Sequence, residues 1–212
     1  RRSGDNERGS NNWSVAGEKS ATGNSFLCND THLGLDLPGT WYEVHQVVNG
    51  EVCHGLSIPG APMVVSGFTN KVAWGMTNAT WDLTEFYKLE TNDKRQYKLD
   101  GQWENMVPKQ VTIPVKGEDD ATFTYYETYF GPLDSVNAEF LATQWVADNF
   151  ERSEMRALYD LKKANNLDEA YEALQQFGHP PQNFVLSDRN GRIGMVTAGY
   201  ALMHKQPSRA IK

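Results

Sequence analysis

Asn49-Gly50 stands between two alternating runs, residues 44–48 and 51–56, and this dipeptide constrains the fold more than any other stretch. A two-residue hairpin loop follows the twist of its strands when both central residues take positive φ. Asn followed by Gly tolerates that best. The expectation is a tight antiparallel hairpin, and the same grammar recurs on both sides of it. Residues 13–17 and 24–28 read as short strands, with turn chemistry at Gly23-Asn24. Residues 63–68 and 72–75 read as another hairpin around Thr69-Asn70-Lys71. Closely spaced strands with short turns predict antiparallel sheet from Trp13 to Leu89.

Residues 90–130 are more polar. Turns are expected at Thr91-Asn92-Asp93-Lys94 and Asp100-Gly101, with a short strand at 96–99 between them. Residues 110–115 alternate and should form an edge strand, because Pro114 cannot donate to a ladder. Residues 122–130 are long, aromatic and alternating, the surest strand of this section. Helical spacing arrives late, over 153–165 with Ser153 as N-cap and over 167–177 with Asp168 as cap and Gly178 as stop. Residues 182–187 and 193–198 close the pattern as a last hairpin across Asp188-Arg189-Asn190-Gly191. The class this predicts is α+β, dominated by antiparallel sheet with two late helices.

The chain's 212 residues fit one large domain or two small ones. A net charge of −7 argues against a general nucleic-acid surface, which needs clustered Lys and Arg. No apolar run reaches transmembrane length, so no membrane span is expected, and no signal peptide is visible. There is no initiator methionine, which is compatible with removal of a targeting segment upstream. Two cysteines, Cys28 and Cys53, are too few for a disulfide framework. They read as lying in neighbouring strands, either bridged or as two separate buried thiols.

Gly9-Ser10-Asn11-Asn12-Trp13 puts polar side chains where the first buried residues of a sheet would stand. Severing the Gly9–Ser10 bond would leave one residue with both a hydroxyl nucleophile and a free α-amino group. A serine hydroxyl needs a base, and an α-amino group, with a reference pKa of about 7.7–8.0, can serve as one near neutrality. From those five residues alone Ser10 reads better as a turn residue after Gly9.

Asn29-Asp30-Thr31-His32-Leu33-Gly34, Ser57-Ile58-Pro59-Gly60-Ala61-Pro62 and Val72-Ala73-Trp74-Gly75-Met76-Thr77-Asn78 follow in order. Pro181-Gln182-Asn183-Phe184 and Asp188-Arg189-Asn190-Gly191-Arg192-Ile193-Gly194 complete the series. In order and spacing, over nearly everything after residue 9, the chain resembles the penicillin acylase family of serine N-terminal-nucleophile amidohydrolases. The resemblance implies part of an αββα sandwich, with residues 1–9 as the end of a linker peptide removed on maturation. Residues 10–212 would then be the N-terminal part of the large chain, partnered by a small chain from the same precursor.

The resemblance also assigns roles. Ser10 would be the nucleophile, His32 the histidine that orients its terminus, and the backbone N–H of Asn78 one oxyanion donor, the other lying downstream of Lys212. Phe68, Met76, Trp81 and Leu33 would line the acyl pocket. Asp82, Thr84 and Glu85 would help hold a structural Ca²⁺, and no organic cofactor is implied. The activity implied is hydrolysis of the amide of penicillin-like or other N-acylated small molecules, in the periplasm or outside the cell. The alternative is a truncated, non-catalytic module that folds or binds only. His45, His54, His179 and His204 show neither metal spacing nor triad order, and Glu118-Asp119-Asp120 reads as a solvated run.

Overall fold

A computed structural model describes residues 9–34, 36–136, 139–148 and 151–203. The leader expectation, apart from Gly9, and His204 therefore lie outside the described residues. The chain forms two compact units, one from the described parts of Arg1–Trp81 and Asn149–Ala201, the other from those of Asp82–Asp148 and Leu202–Lys212.

In chain order the strands of the first stretch are β1 (Gly9–Val15), β2 (Phe26–His32), β3 (Tyr42–Val48), β4 (Glu51–Ser57), β5 (Ser66–Thr69) and β6 (Val72–Asn78). The second unit holds β7 (Thr84–Lys88), β8 (Gln96–Leu99), β9 (Gln102–Asn105), β10 (Val107–Ile113), β11 (Ala121–Thr128), β12 (Gly131–Val136) and β13 (Glu139–Trp145). The chain then returns to the first unit as α1 (Glu154–Lys163), α2 (Leu167–Leu174), β14 (Gln182–Asp188) and β15 (Ile193–Ala198).

The first unit is built on a six-stranded sheet in the order β15-β14-β6-β5-β4-β3, all pairs antiparallel. The hairpin β3–β4 turns at Asn49 and Gly50, whose φ values of 52° and 81° are the positive pair its sequence predicts. Its core lies between one sheet face and the two helices, where Val72, Trp74, Phe184 and Leu186 meet Leu158, Leu161, Leu167 and Leu174. Trp74 is buried with its indole N–H donated to the Val65 carbonyl at 3.1 Å, so the ring enters the core without an orphan donor.

Ser153 caps α1 as expected, its hydroxyl accepting from the Arg156 N–H at 3.3 Å. The cap of α2 is Asn166 rather than Asp168: the Asn166 side chain accepts from the Glu169 N–H at 3.1 Å. Asp168 is drawn instead into a two-pronged pair with Arg192, at 2.9 and 3.0 Å, which holds its carboxyl below the usual carboxylate range. Asp188 is buried and accepts from the N–H groups of Asn190 and Arg192 at 3.0 and 3.1 Å, fixing the β14–β15 turn.

The cysteines do not lie in neighbouring strands. Cys28 is exposed on β2, Cys53 is buried on β4 in a different sheet, and both are free thiols. Burial pushes the Cys53 thiol pKa up.

The second unit carries a five-stranded antiparallel sheet in the order β10-β11-β12-β13-β7 and the small hairpin β8–β9. β10 is an edge strand, as expected, although it ends before Pro114. β8–β9 turns at Asp100 and Gly101 with φ of 48° and 83°.

Candidate active site

The hairpin β1–β2 lies on the face of the six-stranded sheet opposite the helices, and polar side chains join the two layers. β5 pairs with β6 only at Gly67–Trp74 and Phe68–Ala73. Beyond that point the Asn29 carboxamide does the work of a strand. It accepts from the Met76 N–H at 3.1 Å and donates to the Met76 carbonyl at 3.0 Å, satisfying backbone groups that burial would leave costly. The same amide donates to the Asn11 carbonyl at 3.1 Å and accepts from the Ser66 hydroxyl at 2.8 Å. Asn12 adds a second tie, donating to the carbonyls of Asn183 at 2.9 Å and Gly75 at 3.4 Å. Gly75 permits this approach, because a Cβ there would lie 2.7 Å from that of Asn29.

These ties set the direction of β1 across β6. Ser25 donates to the Asp188 carbonyl at 3.0 Å, and Asp188 pairs with Val72 at the start of β6. Gly17, just past the end of β1, donates to the Gly191 carbonyl in the same neighbourhood at 2.9 Å. Asn12 reaches Gly75, so the Ser10 end of β1 falls toward Asn78. The Ala79 N–H points to the β14 side, onto the Pro181 carbonyl, whereas the Met76 groups point to Asn29. Strand alternation turns the Asn78 N–H to the Met76 side, that of the hairpin. Ser10 and the Asn78 N–H thus share one end of this pair of layers.

Ser10 pairs with Thr31 and Gly9 with His32, so the Ser10 and His32 side chains project to opposite faces of the hairpin. The Ser10 hydroxyl donates to the Gly9 carbonyl at 2.6 Å. On its own face His32 stands beside Gly9: a methyl group on Gly9 would lie 3.8 Å from His32 Nδ1, an ordinary contact distance. Its other nitrogen, Nε2, is 3.0 Å from Asp30 Oδ2 and 3.5 Å from Asn11 Nδ2.

The apolar candidates are dispersed. Leu33 directly follows His32 and Trp81 lies just past β6, both partly exposed. Phe68 pairs with Ala73, five residues from Asn78 along β6 or roughly 17 Å of strand, and packs edge-on against His54. Met76 packs against the helix-side core.

In the second unit, Asp82 accepts from the Thr84 N–H at 3.4 Å. Among the described residues no three His, Cys, Asp or Glu side chains are placed to hold a metal ion. Ca²⁺ takes six to eight oxygens, so Asp82, Thr84 and Glu85 would form only part of such a shell.

Asn12, Asn29, Asp30 and Gly75 were not singled out from sequence for any part in the site. The available signal was the alternation of polar residues, Ser10, Asn12 and Ser14 on β1 against Asn29 and Thr31 on β2, on a face that packs onto a sheet.

The chain matches the family model described as penicillin amidase over residues 2–210. It is 32% identical over 209 residues to the acyl-homoserine lactone acylase QuiP of Pseudomonas aeruginosa, covering 90% of this chain and 25% of that protein. It is 29% identical over 195 residues to the penicillin acylase 2 proenzyme of Pseudomonas sp. (strain SE83), covering 88% of this chain and 25% of that one. The chain spans about a quarter of the length of the curated relatives it matches. Among solved structures it resembles a thermostable penicillin G acylase from Alcaligenes faecalis with a TM-score of 0.77 and 24% identity, over 89% of this chain and 35% of that one. That likeness and the antiparallel sheets with their two helices give it the N-terminal-nucleophile hydrolase fold, a partial αββα sandwich. The chain belongs to the penicillin amidase family.

Proposed function

We propose that this chain carries the nucleophile of an amide hydrolase, Ser10, which acts once the Gly9–Ser10 bond has been cut and residues 1–9 have left. The freed α-amino group takes the hydroxyl proton as Oγ attacks an acyl–amide carbonyl, and returns it to the departing amine. The acyl group remains as an ester on Ser10 until water releases it. His32 orients the amine, and the Asn78 N–H stabilises the oxygen that turns negative, with a second donor from elsewhere in the protein. Leu33 and Trp81 are the better placed of the four apolar candidates for the acyl group, ahead of Phe68 and Met76.

What supports this reading is the tie of β1 and β2 to β6 through Asn12 and Asn29, which runs the Ser10 end of the hairpin toward the Asn78 end of β6. Acyl transfer needs that pairing of nucleophile and preorganised donor, and one such donor is worth roughly 2.7–4 kcal/mol of barrier. The names of the relatives favour N-acylated small molecules, an acyl-homoserine lactone or a penicillin, as substrates. A small chain of the same precursor would complete the pocket, outside the cytoplasm. Calcium, where bound, would take Asp82, Thr84 and Glu85 with further oxygens from the rest of the protein.

The test is the full-length protein and its Ser10→Ala variant, followed by intact mass and by release of a chromogenic amine from fatty-acyl and phenylacetyl anilides. Cleavage before Ser10 and amine release are expected in the parent alone. Equal rates in both proteins would leave only a binding module.

A further inference from the structure

We propose that Asp30 is a positioning residue for the reaction, holding the His32 ring with Nδ1 turned to the side of Gly9, the residue that precedes Ser10. The inference rests on the amide-hydrolase reading and adds a residue to it. Asp30 and His32 are two apart on β2, so their side chains leave the same face, where Asp30 Oδ2 lies 3.0 Å from His32 Nε2. An ionised carboxylate only accepts hydrogen bonds, so this contact requires the proton on Nε2 and leaves Nδ1 with its lone pair. Asn11 Nδ2 also approaches Nε2 and would demand the opposite arrangement, but at 3.5 Å it is the longer contact. Turning the Asn11 amide over presents an oxygen there and removes the conflict.

On the other side of the ring, Nδ1 stands over Gly9, 3.8 Å from where a side chain would begin. With Gly9 gone, Nδ1 is an acceptor beside the new terminus. It can take one N–H of the Ser10 amine and turn the amine lone pair toward Oγ. Asp30 touches neither substrate nor nucleophile and acts through the ring. Both side chains are partly open to solvent, 73% for Asp30 and 44% for His32, so the benefit lies in orientation rather than in ion-pair energy.

The experiment compares full-length parent, Asp30→Asn and Asp30→Ala. Each is labelled with ¹⁵N-histidine, with His32→Gln used to assign the ring, and each is assayed for anilide hydrolysis. Asparagine can still offer an oxygen to Nε2. The expected result is a slowly exchanging Nε2 proton in the parent and Asp30→Asn that is lost in Asp30→Ala. With it, kcat should fall on the order of tenfold in the alanine variant, KM should change little, and asparagine should recover most of the loss. An alanine variant that keeps both the proton signal and kcat overturns the proposal. If the parent hydrolyses no amide while the proton signal still depends on Asp30, the amide-hydrolase reading fails and the Asp30–His32 geometry stands.

Discussion

At the scale of single residues, Asn29 and Gly75 are a matched pair. One carboxamide makes four hydrogen bonds across two layers, and the absence of a side chain 46 positions later lets it come close. In Gly75→Ala the added methyl would meet Asn29 Cβ at 2.7 Å and Cγ at 3.0 Å, and neither atom is the free end of a flexible chain. Overpacking of this kind should destabilise by about 1–3 kcal/mol, read as a lower urea midpoint at unchanged slope. This pairing was hidden in the sequence. An asparagine before an aspartate reads as turn material, and nothing local says that its amide will satisfy a distant strand edge. The Ser10 and His32 positions could be read, because each sits in a run of residues whose order is itself unusual. Their facing could not, since it follows from the one-to-one pairing of Gly9 with His32.

At the scale of elements, turns and helices were legible where local chemistry decides. Asn49-Gly50 and Asp100-Gly101 took the positive φ values they suit, and Ser153 capped its helix. The cap of α2 was misread because Asn166 and Asp168 both suit the task, and Arg192, twenty-four residues on, claims the aspartate. Asn166→Ala should therefore cost about 1 kcal/mol in thermal or urea unfolding, and Asp168→Ala should leave the cap intact. The Asp168–Arg192 pair has its own pH signature. Its folded pKa is depressed chiefly by hydrogen bonds from Arg192, so its contribution is present above the unfolded carboxylate value and is lost as pH falls through the folded one. Parent and Asp168→Asn urea midpoints should converge on acidification, and also in high salt, because the pair is exposed. β12 and β13 escaped the sequence reading: Pro132 argues against a strand at the start of one, and Glu139–Trp145 mixes polar and apolar residues without clean alternation.

For the molecule as a whole, the sequence pattern conveyed fold class but not the division into units, because both are written in the same short alternating strands. The thiols report on the first unit. Cys28 should react with a maleimide in the native protein, whereas Cys53, buried and with its thiolate disfavoured, should wait for unfolding, as a mass-resolved time course would show. The pairing of Gly9 and Ser10 with β2 has one more consequence. Endopeptidases attack slack chain, and this peptide link is stitched into a ladder residue by residue. A protease from outside would have to open that ladder before the Gly9–Ser10 link could enter its cleft.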